Sequence, residues 1–148
     1  MGVTIRDVAA GDRAAWDGLY AGYAAFYGVD QSAAMRDAVW GWLMDPGHET
    51  CGLVACDDAG DVIGLAHYRA FARPLSASTG GFLDDLFVAP AARGSGAADA
   101  LIAALREIGR ARGWTVIRWI TAQDNARARA VYDRVAAATP WVTYDIRL

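Results

Sequence analysis

A glycine-rich turn at the start of a predicted helix is the part of the sequence whose residue types point most directly to a chemical role. Residues 82–88 have the pattern of a strand, Pro90 follows them, and the small-residue run RGSGAA at residues 93–98 opens a helical pattern. Main-chain N–H groups in such a turn can point outward together, and the positive end of the helix dipole strengthens their attraction for an anion. The segment therefore predicts a binding site for the phosphates of a cofactor.

The spacing of this turn distinguishes between the known kinds of phosphate loop. A Walker loop requires a lysine, and the chain contains none. The dinucleotide motif G-x-G-x-x-G fits poorly, because Gly94 and Gly96 are followed by Asp99 at the third position, where a carboxylate would face the phosphates. The pattern that fits is R-x-x-G-x-A, with Arg93, Gly96 and Ala98 in the required places. Taken alone, the turn can also be an ordinary strand-to-helix connection.

A second segment adds a motif downstream of a strand-like run at residues 116–121. It reads N-x-x-A-x-x-x-Y, with Asn125, Ala128 and Tyr132 at the defined positions. In this order and spacing, the two segments resemble the GNAT acetyltransferase superfamily, whose members bind acetyl-coenzyme A. The resemblance extends over nearly the whole chain.

The resemblance implies roles for both segments and for the strand before the turn. That strand is expected to bulge and to part from its neighbour, so that the pantetheine arm enters the gap and a main-chain N–H near Val88 bonds the thioester carbonyl. Main-chain groups of residues 93–99 would wrap the pyrophosphate, Asn125 would help to hold the arm, and Tyr132 would protonate the departing thiolate. The residues implied in cofactor binding are Leu86, Phe87, Val88, Arg93, Gly94, Ser95, Gly96, Ala97, Ala98, Asp99, Asn125, Ala128 and Tyr132.

Two adjacent acids, Asp84 and Asp85, interrupt the otherwise apolar strand before the turn. Carboxylates there are costly without partners, and neighbours in a strand are expected to point to opposite faces. One of them can bind an ammonium near the acetyl group and accept its proton, which makes the amine nucleophilic. The run LDDLFV resembles the spermidine/spermine and small histone/polyamine acetyltransferases, which implies that Asp84 is the substrate-contacting, base-like acid and Asp85 the structural one. Asp84, Asp85 or a chain of water molecules stays open as the proton acceptor.

Aromatic residues on the first predicted helix have two interpretations. Trp16, Tyr20, Tyr23 and Tyr27 lie on one helical face, which is either part of the core or a wall of the acceptor pocket, where rings attract a cation. In the second case, Tyr27 and Asp30 are the expected substrate contacts.

Three further residues are His67, Trp119 and His48. The first two have both a structural and a functional interpretation, and His48 has only a structural one. His67, at the centre of a predicted strand, is either a proton relay or a buried, hydrogen-bonded structural histidine. Trp119 corresponds to a substrate-side strand of the relatives but is equally suited to the core. The predicted substrate-binding set is therefore Tyr27, Asp30, Asp84 and Trp119, whereas His48, beside a Pro-Gly turn, is expected to be solvated.

The elements that must position these groups follow from periodicity and caps. The order β-α-α-β-β-β-α-β-α-β indicates an α/β (α+β) fold, in which residues 1–148 form one GNAT domain with a single mixed, mostly antiparallel sheet and helices on both faces. Many relatives end in two strands, whereas one strand-like run closes this chain. An unpaired edge strand tends to find a partner, so we expect a homodimer formed by adding or exchanging this strand. The predicted strands are residues 3–8, 50–56, 62–71, 82–88, 114–120 and 141–148, and the predicted helices are residues 12–27, 32–44, 96–112 and 125–136.

Bulk properties narrow the function further. The net charge of −3 argues against a nucleic-acid surface, no apolar run reaches the length of a membrane span, and the N-terminal residues lack the pattern of a signal peptide. Cys51 and Cys56 are expected on opposite faces of one strand, without a disulfide between them and without metal-ligand spacing. These features predict a cytoplasmic protein with reduced cysteines and no metal.

The sequence thus predicts an acetyl-CoA-dependent N-acetyltransferase whose acceptor is a primary amine, and specifically a small cationic amine of the polyamine or diamine kind. The amine would attack the thioester directly. The acceptors left open are a protein lysine or N-terminus, an amino acid and an aminoglycoside. A non-catalytic acyl-CoA-binding module is the contrasting class.

Overall fold

The computed structural model describes residues 2–148. Five strands form one sheet in the order β1-β2-β3-β4-β5. Strands β1 to β4 pair antiparallel in succession, and β5 pairs parallel with β4. The predicted mixed, mostly antiparallel sheet is therefore confirmed. Its elements are β1 Thr4–Asp7, α1 Arg13–Phe26, α2 Ala33–Met44, β2 Cys51–Cys56, β3 Val62–Arg73, β4 Ser78–Val88, α3 Ala97–Arg112, β5 Ile117–Arg118 and α4 Ala126–Val135.

The two faces of the sheet are covered by different kinds of side chain. On one face α3 packs aliphatic residues such as Leu101 and Leu105 against β2, β3 and β4. On the other face α1 packs Trp16 against Leu65 and Phe87. Burial of each such side chain contributes about 1.5–3 kcal/mol. Helices therefore cover both faces, as predicted, and β4 is held between an aliphatic and an aromatic layer.

A β-bulge in β4 decides where the two adjacent acids point. His67 pairs with Asp85 but Tyr68 pairs with Leu83, so Asp84 is an extra residue in β4. A bulge interrupts the alternation of side chains along a strand. Asp85 contacts His67 and Asp84 contacts Arg69, two residues of β3 that share a face. The prediction that the acids point to opposite faces was wrong, because strict alternation holds only in a regular strand.

Strands β4 and β5 part soon after they pair. Their ladder contains only Gly81 with Ile117 and Phe82 with Arg118. The glycine allows the close approach of Trp114, since a Cβ on Gly81 would lie 2.2 Å from the indole ring. Beyond Phe82, β4 continues to Val88 without β5 beside it. The predicted parting of these strands is confirmed.

Two predicted boundaries differ from the structure in the central strands. Residues 73–81, predicted as a loop, instead extend β3 and β4, which are joined by a short turn at Pro74–Ser76 with Ala77 at φ +50°. Strand β5 is shorter than residues 114–120. The long β3–β4 hairpin takes up the small residues that suggested a loop, because backbone pairing does not require large side chains.

Residues 141–148 form no strand in the structure, so the prediction of a final strand there was wrong. This segment is extended but belongs to no strand, and its large apolar side chains are exposed, with Tyr144 at 90% and Ile146 at 89%. Alternation of apolar and polar residues indicates a strand only where a neighbouring strand pairs with it. Strand β5 remains at the edge of the sheet.

Candidate active site

A cleft of about 120 Å³ lies where α1 ends, β4 ends, and α3 and α4 begin. We call it the α3–α4 cleft. It brings together residues from both sequence motifs and from the strand before the first motif, and the most distant of these, Leu86 and Tyr132, are 46 positions apart in the chain. The lining residues are Phe26, Tyr27, Leu86, Phe87, Val88, Arg93, Ala98, Asn125, Arg127, Ala128, Val131 and Tyr132.

The turn before α3 has the backbone geometry of an anion site. Gly94 and Gly96 have φ of +83° and +86°, a left-handed conformation that favours glycine. Ser95 Oγ accepts a hydrogen bond from Ala97 N at 3.3 Å. The first N–H groups of a helix have no partner within the helix. A Cβ on either glycine would meet no atom within 4 Å, so the outer surface of the turn is open to a ligand. These features fit a diphosphate.

Charged side chains around this turn are arranged in favour of an anion. Asp99 lies in the first turn of α3, but its carboxylate accepts a hydrogen bond from Arg134 Nη2 at 3.1 Å, which offsets its charge. The Arg93 guanidinium lies over the Phe26 ring, 5.5 Å from its centroid. Arg127 also lines the cleft. Sequence reasoning missed Arg127, although its place at the start of α4, inside the second motif, was a usable signal.

The second motif forms the start of α4 and one wall of the cleft. Asn125 Oδ1 caps the helix by accepting from Ala128 N at 3.3 Å, and Asn125 Nδ2 donates to the Tyr27 hydroxyl at 3.3 Å. Tyr132 packs edge-on against Trp119, with ring centroids 5.4 Å apart. Burial, with the nearby Tyr27, raises the pKa of Tyr132 to about 12. Tyr132 therefore keeps its phenolic proton at neutral pH and can act as a proton donor.

A second polar group lies on the α1 face of the sheet, and we call it the acid cluster: Tyr20, His67, Asp84 and Asp85. Asp85 Oδ2 contacts His67 Nδ1 at 2.8 Å and accepts from the Tyr20 hydroxyl at 3.0 Å. The indole N–H of Trp16 donates to His67 Nε2 at 2.9 Å. Burial and the neighbouring Asp85 raise the pKa of Tyr20 above its usual range. His67 is only 2% exposed, whereas the Asp85 side chain keeps 18% of its surface open.

Asp84 has a different environment from Asp85. Its carboxylate accepts from Arg69 Nε at 3.0 Å, and both side chains remain about a third exposed. Burial raises the pKa of Asp84, and the Arg69 guanidinium partly offsets this shift. Close by, Gln31 Oε1 is buried without a hydrogen-bond partner among the described residues, so an acceptor is left over beside the acid cluster.

The aromatic face of α1 connects the acid cluster to the α3–α4 cleft. Trp16 is 1% exposed and belongs to the core, whereas Tyr27 is 42% exposed and lines the cleft. Tyr23 lies between them, stacked on Tyr20 at 6.0 Å and edge-on to Phe87 at 5.7 Å. The core interpretation therefore holds for the beginning of this face, whereas the role of Tyr27 as a substrate contact stays a prediction.

The other residues discussed in the sequence analysis lie in four different environments. Asp30 is exposed in the turn after α1 and does not line the α3–α4 cleft. Trp119 packs on the aliphatic core and touches Tyr132. His67 is buried, as its structural interpretation required, and it also contacts a candidate catalytic acid. His48 is half-buried rather than solvated, because its ring stacks on Trp42 and its Nδ1 accepts from Thr50 N.

Two kinds of feature are absent from residues 2–148. No helix in this range is both long enough and apolar enough to cross a membrane. Within the same range, no three His, Cys, Asp or Glu side chains are grouped so that they could hold a metal ion. Cys51 and Cys56 are free thiols.

Comparisons with known proteins show a family match and a relative that covers most of the chain. The model of the acetyltransferase (GNAT) family matches residues 16–137. The chain is 27% identical over 143 residues to a D-amino-acid N-acetyltransferase, HPA3, of Saccharomyces cerevisiae, covering 96% of this chain and 89% of the relative.

Solved structures show the same fold. A ribosomal-protein-alanine N-acetyltransferase from Brucella melitensis biovar Abortus 2308 superposes with a TM-score of 0.83 at 25% identity, over the full length of both chains. The aminoglycoside N-acetyltransferase AAC(6')-Iy in complex with CoA superposes with a TM-score of 0.83 at 21% identity, over 99% of this chain and 95% of the other.

Proposed function

Because the chain belongs to the acetyltransferase (GNAT) family and is therefore an acetyl-CoA-dependent N-acetyltransferase, we propose that its acceptor is a small cationic primary amine of the diamine or polyamine class. The observation that carries this proposal is the bulge that brings Asp84 and Asp85 to one face of the sheet, beside the tyrosines of α1. Two carboxylates and the unpartnered Gln31 Oε1 offer several acceptors to an ammonium group, which is a donor only.

On the cofactor side, the chain supplies main-chain donors and an open strand edge. Residues 93–99 would hold the diphosphate at the N-terminus of α3, with Arg93 and Arg127 adding positive charge. Leu86, Phe87 and Val88 line the cleft where β4 has parted from β5, and they would hold the pantetheine arm. Acetyl-CoA, when bound, supplies an activated acetyl group as a thioester. A main-chain N–H of this strand, with Val88 as our candidate, would stabilise negative charge on the thioester oxygen.

Protons move at both ends of the reaction. An ammonium must lose a proton before its nitrogen can attack, and Asp85 or Asp84 would accept that proton directly or through water. The Tyr132 hydroxyl would donate its proton to the leaving sulfur. Asn125 would orient the cofactor arm from the start of α4 while its amide also holds the Tyr27 hydroxyl.

An amino acid is the second candidate acceptor. The Arg69 guanidinium lies beside Asp84 and is a third exposed, so it can bind a carboxylate while the acid cluster binds the ammonium. The yeast relative, named as a D-amino-acid N-acetyltransferase, favours the same class. Arg69→Gln discriminates between the candidates, since it should weaken turnover of amino acids and leave or improve turnover of diamines.

The test of the proposed function is a panel of acceptors incubated with the purified protein and acetyl-CoA, with thiol release as the readout. The panel contains 1,4-diaminobutane, spermidine, D- and L-amino acids, an aminoglycoside and a peptide with a free N-terminus and a lysine. Preferred turnover of the diamines supports the proposal, and preferred turnover of amino acids moves it to the second candidate. Binding of coenzyme A without turnover of any amine would indicate a binding module instead.

We also propose that the chain forms a homodimer in which the final segment of one copy adds to the β5 edge of the other. Residues 142, 144, 146 and 148 are apolar and exposed, alternating with polar residues. Beside the edge lies a separate cavity of about 260 Å³, with Trp114, Ile117 and Val135 in its wall. An extended apolar segment and an open edge beside an apolar cavity are complementary surfaces.

Light scattering on matched variants tests this assembly. The pair Tyr144→Ser with Ile146→Ser should release monomers, because it removes side chains from the apolar side of the segment. The control pair Thr143→Ser with Asp145→Ser changes the other side and should leave the dimer intact. A monomeric mass for the unmodified protein would exclude the proposal.

A further inference from the structure

We propose that His67 is a positioning residue, held by Trp16 in a single tautomer, that fixes Asp85 as the proton acceptor for the substrate amine. This inference rests on the proposed function and adds to it two residues of the α1 face. It also distinguishes between the two adjacent acids, a choice that the sequence left open. The hydrogen-bond chain Trp16–His67–Asp85 supports it.

The tautomer of His67 follows from its partner in α1. An indole N–H can only donate, so the nitrogen 2.9 Å from it, His67 Nε2, must accept. In a neutral imidazole the proton then lies on the other nitrogen, Nδ1, which faces Asp85 Oδ2 at 2.8 Å and donates to it. A proton added to Nε2 would set two donors against each other inside the core, where His67 is 2% exposed. His67 is thus a fixed donor rather than a proton shuttle.

The position of Asp85 follows from this donor. Both of its short hydrogen bonds, from His67 Nδ1 and from the Tyr20 hydroxyl, fall on Oδ2. Oδ1 takes part in neither bond, and the side chain keeps 18% of its surface accessible. Two donors on one oxygen fix the plane of the carboxylate, and in our proposal the other oxygen accepts the ammonium proton, with the Tyr23 hydroxyl as a further neutral donor beside the same carboxylate. A group held in the correct geometry accelerates a reaction more than the same group free to rotate.

The charges around Asp85 explain why it suits this role better than Asp84. Asp84, the neighbour in β4, is paired with the Arg69 guanidinium of β3, which occupies its carboxylate. From α1, the hydroxyls of Tyr20 and Tyr23 face Asp85, and Arg13 lies over the outer side of the Trp16 ring at 5.9 Å. The partners of Asp85 among the described residues are therefore neutral donors. A carboxylate held by neutral donors remains available to a cation.

Two substitutions of His67 separate positioning from packing. His67→Asn places an amide N–H near the position of Nδ1 and should keep the bond to Asp85. His67→Gln reaches the position of Nε2 and should keep the contact with Trp16 but lose the donor to Asp85. We expect kcat to fall about 10- to 100-fold in His67→Gln and only a few-fold in His67→Asn. A merely structural role predicts equal losses in the two variants, whereas positioning predicts that His67→Asn retains most of the activity.

A spectroscopic readout tests the tautomer without any turnover. The chain has two histidines, so ¹⁵N-histidine labelling gives two rings, and His48 serves as the internal reference. We expect the His67 proton on Nδ1 under the conditions of the activity assay. Trp16→Phe removes the indole donor that selects this tautomer, so the tautomer with its proton on Nε2 should appear and activity should fall. Trp40→Phe, in the same aromatic layer, is the control for lost packing.

The outcomes distinguish this inference from the proposed function. A proton on Nε2 of the unmodified protein, or equal kcat values for His67→Asn and His67→Gln, would overturn the positioning role. If the tautomer is as expected but no amine of the panel is acetylated, the proposed function fails, and the role of His67 in the reaction fails with it while the hydrogen-bond chain stands. Thermal unfolding of each variant shows whether a loss of activity is a loss of folded protein.

Discussion

The α3–α4 cleft and the acid cluster differ in the part of the chain that makes their contacts. The cleft relies on the backbone: two glycines with positive φ, the first turn of a helix and a strand edge without a neighbour. The acid cluster relies on side chains from α1, β3 and β4 that meet through hydrogen bonds shorter than 3.1 Å. The α3–α4 cleft, our proposed cofactor site, can therefore be recognised from local sequence. The acid cluster, our proposed amine site, is formed by residues that are distant in the chain.

The same difference predicts how each region responds to substitution. A backbone site tolerates many side chains but not a change of conformation, so its sensitive positions are glycines. A side-chain network tolerates neither the loss of a donor nor the loss of an acceptor, because the remaining groups are left buried and unpaired. Substitutions in the acid cluster should therefore change turnover, and substitutions in the phosphate turn should change cofactor affinity.

The largest effect is expected for Asp85→Asn. Turnover should fall about 10³-fold, within the range for loss of a general base, while the affinity for coenzyme A measured by calorimetry stays unchanged. Asp84→Asn, in the same bulge, is the matched control and should cost less than tenfold, because that carboxylate is already paired with Arg69. The reverse order of effects would assign the base to Asp84.

Tyr132→Phe should have the next largest effect. We expect kcat to fall about 10²-fold, at the lower end for loss of a general acid, with little change in affinity for coenzyme A. Since the pKa of Tyr132 is raised to about 12, it retains its proton in the unmodified enzyme from neutral pH to about pH 10. A decline in kcat below pH 10 therefore requires another group. Unchanged turnover in Tyr132→Phe would remove its assigned role.

A smaller effect, on binding alone, is expected for Gly96→Ala. A left-handed conformation costs a residue with a Cβ about 1–2 kcal/mol, so the turn should rearrange and the dissociation constant for coenzyme A should rise about tenfold. Gly113→Ala is the control, because Gly113 has φ +73° at the other end of α3 and also has open space around it. Both variants should lose stability, but only Gly96→Ala should lose affinity; equal affinities would argue against a phosphate site at this turn.

The smallest effect on chemistry is expected for Asp12→Ala, because the side chain of Asp12 contacts Arg6 and Ala9 rather than the acid cluster or the α3–α4 cleft. Asp12 accepts from Ala9 N at 2.7 Å and pairs with Arg6 at 2.7 Å, and the Arg6 contact holds its pKa below the usual range. Its loss should reduce the free energy of unfolding by about 1–2 kcal/mol without changing kcat/KM.

The sign of the pH dependence of this stabilisation can be checked by urea denaturation. Because folding lowers the pKa of Asp12 from its ordinary 3.8, the stabilisation is complete above that pH and is lost as pH falls through the lower, folded-state value. The variant and the parent should therefore differ at pH 7 and converge in acid. A constant difference across this range would contradict the assignment.

Several features could be predicted from the sequence because they depend on neighbours in the chain. The helix predicted at residues 32–44 begins at Ser32, whose Oγ accepts from Met35 N at 3.1 Å. The helix predicted at residues 96–112 ends beside Gly113, which has positive φ there. At both helix ends the determining contacts span four residues or fewer, so a local sequence pattern is sufficient to predict them.

Other features depended on residues that meet only in the folded chain. The bulge at Asp84 results from pairing with β3, and no local signal in LDDLFV contains it. Trp16 and His67 are 51 positions apart, and the role of the histidine became definable only through its hydrogen bond to the indole. The final segment has the alternation of a strand, yet alternation does not supply a neighbouring strand.

The sequence by itself determined the family, the glycine turn before α3 and the order of the elements as far as α4, because glycine conformation, helix caps and periodicity act within a few residues. Only the tertiary structure decided which acid faces which partner, which tyrosines line a cleft and which belong to the core, and that the last segment remains exposed. These outcomes depend on strand register and on packing between distant residues, where one inserted residue redirects a side chain without altering the local pattern.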